Sequence, residues 1–380
     1  MLEKSDRVKR LAGSERSSRK ITIPEGAIRL DMGEPDFPTP DHIKEAATRA
    51  IRDNFTHYGN AYGEGALRQA VCLSLKRDFG VERKPENVLI TSGGMEAINV
   101  ISATYLNPGD EALIPDPDYS AYPDSVALFG GTPVFAPLKE DFHIDFDVLE
   151  KCISQKTKII FISNPGNPNS RLLREDEIRG LARLALEKNL LLVVDEVYYK
   201  LLYNEVKFFS ICQVEEVRDR SILLNSFSKT YAMTGWRVGY MVADAGNIKD
   251  MVTFHNAITI CPNVPAQLAC AAAIIGPQDC VLAMRAEYEK RKIFVEQKLK
   301  GMPKLTTPPC DGAFYFFPRF HHSMTSQQMT EYLFHKGIIV RSGTEFGANG
   351  QKHFRICFAS SMKNLEIGME RLKKALDELD

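Results

Sequence analysis

Residues 226–239 read SFSKTYAMTGWRVG and begin at the end of an apolar segment, residues 222–228, that predicts a buried strand. Lys229 lies just past that segment, and Arg237 follows eight residues later. In open α/β sheets, ligands bind outside the carboxyl ends of the strands. A lysine at such an edge can have its pKa lowered by desolvation and by nearby cations, which makes its neutral amine available for Schiff-base chemistry.

A solvated lysine in a loop is the commoner explanation for a single Lys in this position. The residues around Lys229 favour a binding site instead. Ser226 and Ser228 offer hydroxyl groups and Arg237 offers a guanidinium, and these groups bind phosphate. The segment therefore predicts a reactive lysine beside a phosphate site.

From about residue 88, short apolar runs alternate with amphipathic segments, a pattern typical of βαβ units and an α/β fold with a mostly parallel sheet between helices. The strands of this sheet are predicted at residues 88–91, 111–115, 132–138, 158–163, 190–199, 222–228 and 236–243. Residues 244–300 read as helical, with breaks or first turns at Pro262, Pro265 and Pro277.

The pattern changes after about residue 300, where shorter strand-like runs alternate with two helices. These strands are predicted at residues 312–318, 338–343 and 353–359, and the helices near residues 325–335 and 362–378. A chain of 380 residues exceeds what one hydrophobic core usually serves. We expect a large domain over residues 46–295 and a smaller α+β domain formed by residues 1–45 with residues 296–380.

The composition argues against several classes of protein. The chain is 44% hydrophobic and 26% charged, and its net charge of −1 indicates no basic surface for nucleic acid or for an anionic membrane. No apolar run approaches the roughly 20 residues needed to cross a bilayer, and the N-terminal segment is charged from Glu3 onward. The cysteines lack metal-ligand spacing. We expect a cytoplasmic protein without a metal site.

Two further segments have the polar groups of a ligand site. Residues 91–98, TSGGMEAI, predict a strand, a glycine turn and a helix start, where free N–H groups and the helix dipole favour an anion. Residues 193–199, VVDEVYY, put Asp195 at the end of an apolar strand, where an unpaired carboxylate is costly. A protonated pyridine nitrogen is one cationic partner, and an Asp that caps the strand end is the alternative. Tyr198 either donates to a ligand oxygen or fills the core.

Three more candidates come from loops and from one strand. Asn167, in the turn SNPGNPNS at residues 163–170, offers an amide donor, and Tyr119 offers a ring that can stack on a flat ligand. Both residues also suit structural roles, in a turn and in the core. Arg355 lies inside the apolar run HFRICFA, residues 353–359, and a buried Arg needs an anion. A substrate carboxylate and an internal salt bridge explain it equally well.

Taken in order along the chain, these motifs resemble those of the class I and II aminotransferases of pyridoxal-phosphate fold type I. The closest likeness is to the branch with prokaryotic aspartate and aromatic aminotransferases. The segments LDMGEPDFPTP, residues 30–40, and HYGNAYGEGALR, residues 57–68, belong to the same resemblance, which runs from about residue 5 to the C-terminus. It implies a homodimeric enzyme that moves an amino group from an L-amino acid to a 2-oxo acid such as 2-oxoglutarate, by a ping-pong mechanism.

The resemblance also implies a role for each candidate residue. Lys229 holds pyridoxal 5'-phosphate as a Schiff base and moves the substrate proton, and Asp195 and Tyr198 complete the catalytic set. Around the cofactor ring lie Asp195 at the pyridinium nitrogen, Tyr198 and Asn167 at the ring oxygen, and Tyr119 stacked on the ring. Around the phosphate lie Gly94, Met95, Ser226, Ser228 and Arg237, with Tyr58 reaching over from the neighbouring subunit. On the substrate side lie Gly33, Asn167 and Arg355, of which Arg355 binds the α-carboxylate.

Two positions depart from the family pattern. The family's Asn-Pro-Thr-Gly turn is Asn-Pro-Asn-Ser at residues 167–170, which keeps Asn167 and changes the last two residues of the turn. Met95 stands where bacterial aspartate-specific members have a lysine for the distal carboxylate. Because a thioether cannot pair with a carboxylate, Met95 favours a neutral or aromatic amino donor. An aspartate-type donor stays open if another cation reaches the site from the N-terminal segment or the partner subunit.

Three other functions fit parts of the pattern. A pyridoxal-phosphate-dependent lyase on the same scaffold, of the β-C–S lyase or cyclopropane-forming type, shares every cofactor residue. An effector-sensing regulator of this fold needs a DNA-binding domain before it, and the GEPDF motif already begins at Gly33. A catalytically silent homologue is less expected because Lys229, Asp195 and Arg237 are all present.

Overall fold

The computed structural model describes residues 2–12 and 22–379 as an arrangement of helices around one large sheet and several short ones. In chain order the strands are β1 (Ile28–Arg29), β2 (Val88–Thr91), β3 (Glu111–Asp116), β4 (Thr132–Pro137), β5 (Thr157–Ser163), β6 (Leu191–Asp195), β7 (Ser221–Ser226), β8 (Gly239–Val242), β9 (Leu305–Thr306), β10 (Tyr315–Phe316), β11 (Arg319–Phe320), β12 (Ile338–Ile339), β13 (Arg341–Ser342) and β14 (Phe354–Cys357). The α-helices are Asp6–Ala12, Asp41–Arg52, Gly65–Phe79, Gly94–Tyr105, Ala121–Leu128, Phe146–Lys151, Glu175–Glu187, Phe227–Thr230, Ala245–Ile258, Val264–Ile275, Asp279–Lys300, Ser326–His335 and Met362–Asp377.

The large sheet has seven strands in the order β2-β8-β7-β6-β5-β3-β4, and each predicted strand segment between residues 88 and 243 contributes one of them. The pairs from β4 across to β7 are parallel, and β8 alone runs antiparallel, between β2 and β7. Most strand residues are buried on both faces of the sheet, as expected for strands covered by helices on either side. The predicted α/β architecture with a mostly parallel sheet is confirmed.

The antiparallel strand β8 determines where two loops meet. Its first residue, Gly239, pairs with Thr91 at the end of β2 and with Ser226 at the end of β7. A Cβ atom on Gly239 would lie only 2.8 Å from the carbonyl carbon of Gly93, so a side chain here would push the glycine turn away. The register of β8 therefore brings the turn after β2 and the segment after β7 to one edge of the sheet.

The segment after residue 300 forms a separate set of short strands with their own core. β14 lies between β10 and β13, and β12 pairs in parallel with β1 from the N-terminal part of the chain. The sequence predicts a continuous strand over residues 312–318 and another over 338–343, whereas these segments contain only the two-residue strands β10, β12 and β13. Buried aromatic rings such as Phe314, Phe354 and Phe358 pack among these strands and the last helix.

The domain boundaries at residues 45/46 and 295/296 stay a prediction. The pairing of β1 with β12 joins part of the N-terminal segment to the C-terminal strands, whereas the helix Asp6–Ala12 lies beside the helix Ala121–Leu128. The helix Asp41–Arg52 packs along Val264–Ile275. Residues 1 and 13–21 of the predicted small domain, and residue 380 at its end, lie outside the described residues.

Two strands of the large sheet end earlier than the sequence predicts. The predicted strand over residues 190–199 stops at Asp195, because its Oδ1 atom accepts a hydrogen bond from the Val197 amide at 3.1 Å and turns the chain. The predicted strand over residues 222–228 stops at Ser226, whose hydroxyl caps the short helix after it. Both early stops place polar side chains at the carboxyl edge of the sheet.

Within the described ranges, no single helix is long and apolar enough to span a membrane. The helices Val264–Ile275 and Asp279–Lys300 pass that test of length and composition only as a pair, and the chain bends by 79° between them. Among the same residues, no group of three or more His, Cys, Asp or Glu side chains is placed to hold a metal ion. The eight cysteines are all free thiols.

Candidate active site

A cavity of about 270 Å³ lies at the carboxyl edge of the large sheet. All predicted site residues except Tyr58 line it, namely Gly33, Gly94, Met95, Tyr119, Asn167, Asp195, Tyr198, Ser226, Ser228, Lys229, Arg237 and Arg355. The residues of the strands β6 and β7 reach it because those strands end there, and Arg355 reaches it from β14. The cavity thus combines groups from the large sheet with groups from the C-terminal strands and from the N-terminal segment.

One end of the cavity has the donors of an anion site. The helix Gly94–Tyr105 begins there after Gly93, which has no side chain to cap the first turn, and the leading N–H groups of a helix have no acceptor within the helix. Gly93 has a φ of +84°, and a Cβ atom on it would lie 2.6 Å from Nη2 of Arg237. Only glycine lets the turn and the guanidinium approach so closely.

Arg237 and two serines complete this end of the cavity. Arg237 adopts the left-handed conformation with a φ of +56°, and its Nη1 atom donates to the carbonyl oxygen of Thr234 at 2.9 Å. In the described part of the chain its guanidinium bonds to no carboxylate. The hydroxyls of Ser226 and Ser228 lie 2.8 Å apart beside it. This cluster of donors is suited to a phosphate group.

Lys229 lies between that end and the rest of the cavity. Its Nζ atom donates to the carbonyl oxygen of Gly33 at 2.5 Å. Burial, together with the positive charges of Arg355 and Arg237, lowers the pKa of Lys229 to about 8 against the opposing effects of Cys357 and Glu34. Roughly a tenth of the amine is therefore neutral at pH 7, and nucleophilic addition to a carbonyl requires that neutral form.

Asp195 lies at the base of the cavity as a buried carboxylate. Its Oδ2 atom accepts a hydrogen bond from the hydroxyl of Tyr122 at 3.2 Å, while Oδ1 accepts from the Val197 amide. Burial raises the pKa of Asp195 to about 6, and the positive charge of Lys229 partly offsets this effect. The carboxylate acts as a strand-end cap through Oδ1, and its charge would still be stabilised by a cation in the cavity.

The opposite wall is built around two tyrosines and Arg355. The hydroxyls of Tyr198 and Tyr315 lie 2.8 Å apart, and the guanidinium carbon of Arg355 lies 4.2 Å from the centre of the Tyr315 ring. Arg355 donates from Nη1 to Oδ1 of Asn167 at 2.7 Å and from Nη2 to the carbonyl oxygen of Asp31 at 2.8 Å. Its Nε atom is buried and has no hydrogen-bond partner in residues 2–12 and 22–379.

These contacts separate the two explanations of Arg355. An internal salt bridge requires a carboxylate, and among the described residues the hydrogen-bond acceptors of Arg355 are an amide oxygen and a backbone carbonyl. A buried guanidinium held only by neutral acceptors keeps its full charge for an anion. The geometry therefore favours an anionic ligand at Arg355 over an internal ion pair.

Several residues of the site were missed by the sequence patterns. They are Tyr122, Tyr315, Arg341, Glu345 and Phe346, of which all but Tyr122 line the cavity directly. Tyr315 belongs to an apolar run that reads simply as core, and Phe346 lies in a glycine-rich segment after the predicted strand at residues 338–343. Arg341 carries a charge inside the predicted strand at residues 338–343, the same signal that identified Arg355.

Tyr119 and Met95 lie together on one side of the cavity, where the Tyr119 hydroxyl is 3.7 Å from the Met95 sulfur. The Tyr119 ring meets the ring of Tyr122 edge-on at 5.5 Å.

Tyr58 does not reach this cavity. Its side chain is 83% exposed and lies in a surface depression with Phe55 and Cys261.

A lysine, a cluster of donors suited to phosphate and a buried carboxylate at one edge of a mostly parallel sheet form the arrangement expected of an enzyme of pyridoxal-phosphate fold type I. The family model for aminotransferase class I and II matches residues 25–372. The chain belongs to this family, and it is accordingly a pyridoxal-phosphate-dependent transaminase.

Individual relatives agree with that assignment. The chain is 37% identical to aromatic-amino-acid aminotransferase 2 of Thermococcus litoralis over 361 residues, which cover 93% of this chain and 92% of the relative. It is also 37% identical to an aspartate aminotransferase of Pyrococcus abyssi, with 92% of each chain covered. A solved structure of an aromatic aminotransferase from Pyrococcus horikoshii is 35% identical, covers 93% of this chain and 97% of its own, and has a TM-score of 0.90.

Proposed function

We propose that the cavity binds pyridoxal 5'-phosphate through Lys229 and transfers an amino group from a neutral or aromatic L-amino acid to a 2-oxo acid such as 2-oxoglutarate. One observation carries the proposal. A buried lysine with its pKa lowered to about 8 lies in the same cavity as a phosphate-binding edge and a buried arginine that pairs with no carboxylate of the described residues. Each of these groups meets a different part of such a cofactor and substrate.

The residues of the cavity fit this cofactor. The helix start at Gly94 and Met95, with Ser226, Ser228 and Arg237, offers donors for its phosphate. Asp195 offers a buried negative charge for the pyridinium nitrogen, and we assign Tyr198 and Asn167 as donors to the ring oxygen and Tyr119 to stacking on the ring, since all of them line the cavity. When bound, the cofactor supplies an electron-withdrawing ring that stabilises negative charge at the substrate α-carbon.

The chain's own groups bring about the proton transfers. Arg355 binds the substrate carboxylate with its planar guanidinium and orients the α-carbon toward Lys229. The neutral Nζ of Lys229 would take the α-proton and deliver it to the C4′ carbon of the cofactor in the first half-reaction, and would carry a proton back to the α-carbon of the oxo acid in the second, because an amine whose pKa is about 8 can both accept and release a proton near neutral pH. Asp195 stays ionised beside the cation that it pairs with. The order is ping-pong, so the first product leaves before the second substrate binds.

The choice of donor rests on Met95. Its thioether lines the cavity next to the Tyr119 hydroxyl, and it cannot pair with a second carboxylate on an amino donor. The named relatives include both aromatic and aspartate aminotransferases, so they do not distinguish the two donors. An aromatic or neutral side chain would pack against these groups.

We further propose a homodimer with shared active sites, in which Tyr58 reaches the phosphate bound to the neighbouring subunit. Tyr58 is 83% exposed, and Phe55 beside it is 49% exposed, so the described part of the chain leaves this apolar surface largely uncovered. Sedimentation equilibrium tests the dimer. Mixing inactive Lys229→Ala subunits with inactive Tyr58→Ala subunits tests the shared site, because a hybrid dimer would regain one intact site. The cytoplasmic location stays a prediction from the sequence.

The function is tested by incubating the purified holoenzyme with a panel of amino acids and 2-oxoglutarate. Glutamate formation with phenylalanine, tyrosine or neutral donors, at rates well above that with aspartate, supports the proposal. Aspartate as the best donor would overturn the inference from Met95. Release of ammonia or sulfide without an added oxo acid would identify a lyase and contradict the proposed reaction.

A further inference from the structure

Two arginines face each other at the cavity. Strands β13 and β14 are antiparallel, and Arg341 is paired directly with Arg355. Residues directly opposite in an antiparallel pair project from the same face, with Cβ atoms roughly 4.5–5.5 Å apart. Both side chains line the same cavity. The second arginine therefore lies next to the group proposed above to bind the substrate α-carboxylate.

Like charges placed opposite each other destabilise a sheet unless a counter-ion separates them. Glu345 supplies that counter-ion, because its Oε2 atom lies 3.0 Å from Nη1 of Arg341. The Glu345 side chain is only 7% exposed, and Arg341 is 25% exposed, so the pair is largely shielded from water. Glu345 also lines the cavity, and thus a ligand of suitable length can contact either member of the pair.

We propose that Arg341 recognises the second carboxylate of a dicarboxylic oxo acid, and that Glu345 holds Arg341 in place when the bound substrate has only one carboxylate. This inference rests on the proposed function. A five-carbon dicarboxylate has one carboxylate for Arg355 and a second one at a distance that neighbouring side chains on the same face can span. Because both half-reactions use one cavity, the dicarboxylic amino acid formed from such an oxo acid would use the same contact with Arg341, whereas an aromatic or neutral donor leaves the Arg341–Glu345 pair intact.

The alternative is that Arg341 stays paired with Glu345 and does not bind the second carboxylate of a dicarboxylate. If Glu345 never releases Arg341, the pair presents no net charge to the cavity and a dicarboxylate gains nothing from it. A carboxylate that replaces Glu345 must do so with a bidentate contact, which Arg forms readily with carboxylates. If Arg341 binds the second carboxylate, a substitution of Arg341 weakens the binding of dicarboxylates more than that of monocarboxylates. If it does not, the substitution affects both to the same extent.

The direct test compares Arg341→Gln with the wild-type holoenzyme. We expect kcat/KM for 2-oxoglutarate to fall by roughly 10- to 100-fold, the usual effect of losing a charge-assisted contact, and kcat/KM for phenylpyruvate to change less than about 3-fold. The matched control is Arg179→Gln, which breaks an exposed ion pair of the same i,i+4 spacing with Glu175 and should change neither value. Equal losses for both oxo acids would mean a structural role for Arg341 and overturn the inference.

A binding measurement separates this inference from the proposed reaction. Succinate and 3-phenylpropionate are titrated into the holoenzyme and monitored through the absorbance of the bound cofactor. Arg341→Gln should weaken succinate roughly 10-fold or more and leave 3-phenylpropionate unchanged, whereas Glu345→Gln should strengthen succinate binding. If succinate binding does not depend on Arg341, the inference fails even when transamination is normal. If transamination is absent but succinate still depends on Arg341, only the proposed reaction fails.

Discussion

The Nζ atom of Lys229 donates a hydrogen bond to the carbonyl oxygen of Gly33, at 2.5 Å. This contact joins the segment after β7 to the N-terminal segment within the cavity. Gly33 also packs closely on Tyr315, since a Cβ atom added to Gly33 would collide with the Tyr315 hydroxyl. The position of the lysine amine therefore depends on a glycine and a tyrosine that lie far apart in sequence.

Gly33→Ala should lower kcat/KM by roughly 10-fold or more, because the added methyl group displaces either the Tyr315 hydroxyl or the Gly33 carbonyl. Steady-state kinetics with the best donor measures the loss. Tyr315→Phe removes the colliding oxygen, so the double variant should be less impaired than the two single effects combined. Additive losses in the double variant would contradict this packing relationship.

The cofactor-free protein should be stabilised by Lys229→Met at neutral pH. The pKa of Lys229 falls to about 8 on folding, so between about pH 8 and pH 10 the unfolded state binds more protons than the folded state. Protonated Lys229 therefore destabilises the folded state by its full amount at pH 7. This destabilisation decreases as the pH rises from about 8 to about 10. We expect a gain of roughly 1–3 kcal/mol at pH 7 that shrinks by pH 10.

Urea unfolding of the cofactor-free variants at several pH values measures this gain. Lys290→Met is the control, because the Lys290 side chain is 73% exposed and should give little change. A Lys229→Met gain that does not vary with pH would mean that packing, and not the buried amine, causes it.

Asp195→Asn should reduce transamination by about 100-fold or more, because an amide cannot hold the ring nitrogen in its protonated form. Asn can still accept the hydrogen bond from the Val197 amide, so the strand end should be kept. Tyr122→Phe removes one donor to the Asp195 carboxylate and should cost only about 3- to 10-fold. An Asp195→Asn enzyme with activity close to that of the wild type would rule out the assigned role.

Arg237→Gln should weaken cofactor binding by roughly 10- to 100-fold, the effect expected when a charge-assisted contact to phosphate is lost. Ser226→Ala should have a smaller effect, since it removes one neutral donor from the same cluster. Titration of the cofactor-free protein with pyridoxal 5'-phosphate measures both dissociation constants. Unchanged affinity in Arg237→Gln would place the phosphate elsewhere in the cavity.

The parts of the site that the sequence predicted share one property. Asp195 and Ser226 end apolar strands, Lys229 lies three residues after the end of β7, and the glycine turn before Gly94 precedes a clear helix. Local periodicity identifies such strands, and the topology of open α/β sheets then gathers their carboxyl ends at one edge. For these residues, the hydrophobic pattern of the sequence and their position at the end of a strand are enough to predict that they belong to the site.

The parts that were missed depend on long-range pairing between very short strands. Tyr315 and Arg341 lie on the two-residue strands β10 and β13, and only their pairing with β14 brings them beside Arg355. Strands of that length have no period that a sequence pattern can reveal. Likewise, the Tyr198–Tyr315 contact joins residues 117 positions apart, and no local signal predicts it.

The most direct test of the central claim is to reduce the holoenzyme with borohydride, digest it and map the labelled peptide by mass spectrometry. Reduction traps the cofactor on the lysine to which it is bound. If Lys229 binds the cofactor, we expect a single reduced phosphopyridoxyl group on Lys229. We expect none in Lys229→Ala, together with loss of the visible absorbance in that variant. A label on another lysine, or an unlabelled Lys229 in a protein saturated with cofactor, would contradict it.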